Sequence, residues 1–350
     1  QEAHENAIEL LKKLIAIPSF SKEEKEAADF FQTYIESIGY IVHRKANNLW
    51  VMPAGFDEKK KTILLNSHID TVRPSNSWSK DAFKATEESD QLFGLGSNDA
   101  GASLVSLWHT FMILTKKEQA YNLIFSCSAE EEISGANGCA SMIEELPKID
   151  LAIVGEPTQM QLAVAEKGLL VLDCTAKGKA GHAAREEGVN AIYQALNDIN
   201  WFRTYQFDKK SDLSGPVKMS VTMLQAGTQH NVVPDTCQFV VDIRTNEFYS
   251  NIEVLEEIKK QVSCEVKARS THLNSSYIPL DHPIVKRGLS LGLSYYGSPT
   301  SSDQMRIPYT SIKIGPGNSS RSHTADEYIL LSEIKEGIET YVALLDKLKI

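Results

Sequence analysis

The spacing of apolar positions changes along the chain. Ala7, Leu10, Leu11, Leu14 and Ile15 fall three or four residues apart, the spacing of one helix face, and Pro18 closes the run. A second helix is predicted over residues 22–38, stopping at Gly39. Residues 62–66 (TILLN), 123–127 (LIFSC) and 151–154 (LAIV) are short unbroken apolar runs, the mark of strands buried on both faces. Residues 101–114 lie between the first two and have helical period. Strands alternating with helices predict a largely parallel sheet covered by helices. From 168 the order changes: strand 168–177, helix 188–203, strands 217–224 and 238–244, helix 252–262, strand 264–268. That β-α-β-β-α-β order is the ferredoxin-like pattern. After Pro279 the earlier style resumes, with helix 284–293, strand 311–314 and a last helix from Leu331. The expectation is an α/β domain over 1–167 and 276–350, split by an inserted α+β domain over 168–275.

Composition narrows the partners. The chain has 350 residues, 46 acidic and 36 basic, for a formal charge of −10. Phosphate binding needs concentrated basic charge, so nucleic acid is not expected as a partner. No apolar run approaches the roughly 20 residues that cross a bilayer, so no membrane partner is expected. Residues 1–14 are charged and amphipathic, unlike a signal peptide. Five scattered cysteines, none in a CxxC pair, form no disulfide framework, and a reducing cytoplasm is the expected compartment.

Candidate chemistry gathers at the strand ends. TILLN runs into Ser67-His68-Ile69-Asp70, LIFSC into Glu130-Glu131-Glu132, LAIV into Gly155-Glu156, and the 311–314 strand through Gly315-Pro316-Gly317 toward His323. Asp99 sits in the glycine-bearing loop 94–101. In open α/β sheets ligands bind beyond the carboxyl ends of the strands, so these loops can converge. Singly, each has an ordinary reading: a surface His-x-Asp pair, a solvated acidic helix start, a turn glutamate, a surface histidine. Together they make a mixed nitrogen and oxygen set suited to zinc or cobalt, with a spare carboxylate to act as base.

The segments NSHIDTV (66–72), GSNDAG (96–101), SAEEEISG (128–135), VGEPT (154–158), KGKAGHAA (177–184), NVVPD (231–235) and SSRSHTADE (319–327) occur in the order of one family. The chain resembles the M20 zinc-dependent amidohydrolases, among them acetylornithine deacetylase and succinyl-diaminopimelate desuccinylase. The resemblance implies a zinc-exopeptidase-like catalytic domain with an inserted dimerisation domain, and two zinc ions, with cobalt an alternative. It gives His68 and Glu156 to one metal, Glu132 and His323 to the other, and Asp99 to both. Asp70 would orient His68, and Glu131 would be the general base. His182 would reach across a homodimer to the oxyanion, with Asn231 as its companion. Arg244 would bind a substrate carboxylate, and Thr300 and Ser301 would line the acyl pocket. Two departures stand out: Ala100 where Lys or Arg is common, and Arg185-Glu186 where proline is common. The implied activity is hydrolysis of a small N-acyl amino acid, N-acetylornithine or N-acylcitrulline, in arginine biosynthesis. A desuccinylase, a dipeptidase and a non-catalytic binding homologue are the alternatives. Arg321, near the metal histidine, would favour an acyl group carrying its own carboxylate.

Overall fold

A computed structural model describes residues 2–350; Gln1, which opens the amphipathic N-terminal stretch, lies outside them. The chain folds as two compact units. One ends at Val164 and resumes with Tyr277–Tyr296 and Ser302–Ile350; the other comprises Ala165–Ser276 and Gly297–Ser301.

In the first unit the sheet runs Val42–Lys45, Asn48–Val51, Asn122–Ser128, Thr62–His68, Leu151–Val154, Ser311–Lys313, Leu162–Glu166. The middle four strands are mutually parallel, and their flanking neighbours are antiparallel. Every residue of Thr62–His68, Asn122–Ser128 and Leu151–Val154 is buried, which is why these strands are apolar without alternation. Helix Ala102–Leu114 is buried nearly all round, so its sequence carries no charged face. It packs against the final helix Leu331–Leu345. Trp108 also meets Phe31, Phe111 and Phe125 ring to ring. Parallel strands end on one rim, so the loops after His68, Ser128, Val154 and Lys313 open on the same edge.

The second unit is a four-stranded antiparallel sheet in the order Lys218–Ala226, Thr236–Thr245, Gly168–Lys177, Glu265–Ala268. Its core joins Leu170, Leu172, Cys174, Phe239, Val241 and Ile243 to Phe202, Val254 and Ile258 of helices Ala191–Thr204 and Asn251–Gln261. Burial alternates along Gly168–Lys177 because only one face meets those helices. The first helix starts at Ala191, later than the spacing predicts, because Asn190 caps it by accepting the Ile192 amide at 2.9 Å. A two-residue ribbon, Gly181–His182 against Val232–Val233, stands apart from the main sheet. No helix among the described residues is long and apolar enough to cross a membrane.

Candidate active site

The strand Thr62–His68 ends on a buried imidazole. His68 Nδ1 lies 2.8 Å from the main-chain oxygen of Asp70 and 3.4 Å from its Oδ1. That contact occupies one ring nitrogen and leaves Nε2 facing the rim. The carboxylate of Asp70 does more than the predicted orienting of His68. It accepts the amides of Glu131 at 3.0 Å and Glu132 at 3.1 Å, and the Ser21 hydroxyl at 2.6 Å. One buried residue thus fixes both the imidazole and the turn Glu131–Ile133. Glu130 and Ser134 bracket that turn with φ of 54° and 48°, a conformation side chains rarely adopt. Asn48 holds the same loop, accepting the Ala129 amide at 2.9 Å and donating to the Asn137 carbonyl at 2.6 Å. Glu24 accepts the Glu130 amide at 3.1 Å.

The predicted donors meet. His68 Nε2 lies 3.2 Å from Asp99 Oδ1, 3.7 Å from Glu156 Oε1 and 3.9 Å from Glu131 Oε2. His323 Nε2 lies 3.0 Å from Glu132 Oε2 and 3.5 Å from Asp99 Oδ2. The two oxygens of Asp99 therefore face different imidazoles. Adjacent donors on a tetrahedral zinc are about 3.3 Å apart, given metal–donor bonds of about 2.0–2.2 Å, so these separations suit shared coordination. Compact donor groups form from His68, Glu131 and Glu156, and from His68, Asp99 and Glu132. Glu131 stands in the donor set as well as at the place expected for the base.

The electrostatics also fit a cation. Burial pushes Glu131 and Glu156 well above the usual carboxylate range; Glu156, Asp303 and Glu132 press Glu131 further, and Asp99 presses Glu156. Burial raises Glu132 as well. Burial alone would lower the His68 imidazole, but the charges of Glu131 and Glu156 lift it well above its ordinary value. The Glu132 carboxylate raises His323 to about 9. Mutual repulsion among buried carboxylates is what a divalent ion relieves, and imidazoles mixed with carboxylates suit zinc or cobalt.

The support residues escaped sequence reasoning. Besides Glu24 and Asn48, Asp303 is buried, accepting Asn66 Nδ2 at 3.0 Å and the Ser128 hydroxyl from adjacent strand ends. Burial raises it to about 6. Asn66 and Glu327 belong to the quoted motifs and Asp303 follows Thr300 and Ser301 closely, but a polar residue destined for burial has no local signature.

The other predicted residues belong to the second unit. His182 is exposed on the two-residue ribbon, and its Nδ1 accepts the Ala184 amide at 3.1 Å. The ribbon brings it beside exposed Asn231, whose carbonyl accepts the Ala183 amide at 3.0 Å. Arg244 is the last residue but one of the strand Thr236–Thr245, one short of its end, and its fork already meets Asp242: Nε to Oδ1 at 2.8 Å and Nη2 to Oδ2 at 3.1 Å. Thr300 Oγ1 lies 3.1 Å from Ser298 Oγ, and the buried Ser301 hydroxyl has no hydrogen-bond partner. In the first unit, Arg321 also differs from its expected role: its guanidinium pairs with Glu333 at 2.7 and 3.2 Å and lies over Tyr328.

Residues 64–347 match Peptidase family M20/M25/M40. A Peptidase M20 domain-containing protein of Schizosaccharomyces pombe is 29% identical, over 97% of this chain and 84% of its own. Acetylornithine deacetylase of Buchnera aphidicola subsp. Schizaphis graminum is 25% identical, over 94% of each. Succinyl-diaminopimelate desuccinylase of Orientia tsutsugamushi (strain Ikeda) is 25% identical, over 73% of this chain and 71% of its own. Among solved structures, aminopeptidase PepT from Bacillus cereus aligns with a TM-score of 0.77 at 19% identity, covering 98% of both chains. A dinuclear metal binding M20 peptidase from Bacillus subtilis gives 0.73 at 17%, covering 99% of both. These likenesses establish a shared fold.

Proposed function

The chain belongs to peptidase family M20/M25/M40, and from that premise we propose that it is a two-metal deacylase of a small N-acyl amino acid. N-acetylornithine, or N-acylcitrulline, is the proposed substrate, and arginine biosynthesis the setting. The observation that carries this reading is that the two oxygens of Asp99 face His68 and His323, with Glu156 and Glu131 beside His68 and Glu132 beside His323.

Zinc is the proposed metal, with cobalt able to replace it. His68 and Glu156 would hold one ion, Glu132 and His323 the other, and Asp99 both. When bound, the pair would polarise the scissile carbonyl and make water at the site more acidic. Glu131 takes the proton of the attacking water and returns it to the leaving amine. Asp70 keeps His68 and Glu131 in register, since it holds both. His182 of a second copy donates to the developing oxyanion, with Asn231 next to it. Arg244, its plane fixed by Asp242, binds the substrate carboxylate, and Thr300 and Ser301 contact the acyl group.

The homodimer reading is supported by exposed apolar groups: Tyr193 and Leu196 on helix Ala191–Thr204, and Met223 and Leu224 on the edge strand Lys218–Ala226. Such an edge can pair with its own copy across a two-fold axis. A cytoplasmic setting is supported by the five free cysteines. The relatives named desuccinylase keep the succinyl reading as the second one.

The test is hydrolysis of N-acetyl and N-succinyl derivatives of ornithine, citrulline, lysine and diaminopimelate, and of simple dipeptides, with zinc or cobalt. N-acetylornithine or N-acylcitrulline should be cleaved fastest. Cleavage of dipeptides alone would replace this reading with a peptidase, and no turnover of any amide would replace it with a binding homologue.

A further inference from the structure

The loops that carry Asp99 and His323 are each built around a side chain of the other. Glu327 follows His323 by four residues and is 3% exposed. Its Oε1 accepts the amides of Asn98 at 3.0 Å and Asp99 at 2.8 Å, and its Oε2 accepts that of Gly96 at 2.9 Å. Its main-chain oxygen takes the Gly94 amide at 3.0 Å. Gly96 has φ of 76°, a left-handed turn that glycine adopts without penalty. In return, the fully buried Asn98 accepts the Asn318 amide at 2.9 Å and donates to the Asn318 carbonyl at 3.0 Å. A carboxylate that takes three main-chain amides is spent on the backbone and is not a metal donor.

We infer that Glu327 is a positioning residue for the second metal, setting the gap between Asp99 and His323; the inference rests on the two-metal reading above. The two metal positions differ in what supports them. His68 ends a central parallel strand and Glu156 follows another, and their ladder does not involve Glu327. His323 has no strand of its own: it lies on an exposed segment with φ of 59°, between the 3₁₀ turn Ser319–Arg321 and the strand Tyr328–Leu330. Its spacing from Asp99 is set by the Glu327 and Asn98 contacts. Glu327→Gln keeps the volume but turns an acceptor into an NH₂ that must face a main-chain N–H. Loss of such an outer partner typically weakens metal binding about 10–100-fold.

The experiment titrates metal-free wild type, Glu327→Gln, Glu327→Asp and Asp198→Asn with zinc against a chromophoric chelator, and follows cobalt uptake by its visible spectrum. Asp198 is the control, a buried carboxylate of the second unit that accepts the amides of Ser263 at 3.0 Å and Cys264 at 2.9 Å. Wild type should take up two equivalents. Glu327→Gln should bind the second about 10–100-fold more weakly and the first, which shares Asp99 but keeps His68 and Glu156, by much less. Glu327→Asp, which keeps the charge, should weaken the second by less and serves should the Gln variant fail to fold. Asp198→Asn should bind both normally even though its melting temperature falls. Glu327 variants that bind both equivalents as wild type does, or weaken both alike, would overturn the inference while leaving the two-metal reading intact. Weakening of the second equivalent in Asp198→Asn would overturn it too, as a general loosening. Wild type that takes up fewer than two equivalents would overturn the two-metal reading itself, and the inference with it.

Discussion

In the first unit His68, Asp70 and Glu156 are buried, and each leans on a neighbour from a different part of the chain. In the second unit His182 and Asn231 stand exposed on a ribbon two residues wide. Buried charge must find its partners inside the fold or in a bound cation, so the first set is built to act within one unit. An exposed histidine has water as its competitor and becomes useful only when something encloses it. The contrast teaches that the proposed chemistry divides into a part the unit assembles alone and a part that awaits a second copy.

The largest effect should come from the self-contained part. Glu131→Gln should lower kcat about 10²–10⁴-fold while bound metal stays at the wild-type level. Glu132→Gln should instead lose metal, as atomic absorption after dialysis would record. A Glu131→Gln protein that keeps most of its turnover would move the base elsewhere.

His182→Ala should lower kcat about 10²–10³-fold. Its loss, unlike that of Glu131, should be repairable from outside. Mixed with Glu131→Gln under verified subunit exchange, it should recover up to about a quarter of wild-type activity, since half the dimers are hybrids with one complete site each. If nothing is recovered, the ribbon does not serve a second copy and the contrast collapses.

Arg244→Ala should cost about 2–3 powers of ten in kcat/KM on substrates with a free carboxylate, and much less on their amides. Equal loss on both would assign Arg244 to the Asp242 pair alone, as a structural strand-end contact.

The smallest effect is a pH slope that belongs to the first unit. Burial there raises Glu327 to about 8, its neighbouring carboxylate raises His323 to about 9, and Glu131, Glu156 and His68 are raised too. Below their raised values, Glu327 and His323 hold a proton in the folded chain that the unfolded chain has released. The lowered Asp70 and Asp99 have made their full contribution above the ordinary aspartate range, near 3.8. The histidines lowered by burial, His4, His109 and His282, add stability with rising pH only up to 6.5. From 6.5 to 9 the metal-free protein should therefore lose stability as pH rises, by a few degrees of melting temperature, about 2–4 °C per kcal/mol. Saturating zinc should flatten or reverse that slope, because the ion binds deprotonated donors. A level metal-free profile would mean that the cluster is wetter than its geometry implies.

Periodicity made the main elements legible because burial wrote them into the sequence. Leu151–Val154 sits where the apolar run placed it, and Thr62–His68 and Asn122–Ser128 run only one or two residues past their cores. The short strands Val42–Lys45 and Asn48–Val51 were illegible, since four residues hold too few alternations to register as a period. The proposed donors could be named because strand ends and motif spacing mark them as candidates. Their wiring could not be. The Asp70 carboxylate's hold on two amides 61 and 62 residues away, or Glu327's on amides more than 200 residues back, is a tertiary fact with no local pattern.

The position of Ser311–Lys313 in the first sheet has a consequence for synthesis. This strand lies between Leu151–Val154 and Leu162–Glu166, yet it is made about 145 residues after the nearer of them. A nascent chain that has reached residue 300 holds a sheet with a slot at its centre. His323 and Glu327 have not yet been added. At ribosomal speeds of about 5–20 residues per second the slot stays open for about 7–30 seconds, long enough for residues 165–276, the larger part of the second unit, to fold first. The proposed metal centre is thus among the last features of the molecule to be completed. Ions met earlier by the growing chain find carboxylates without the closing imidazole.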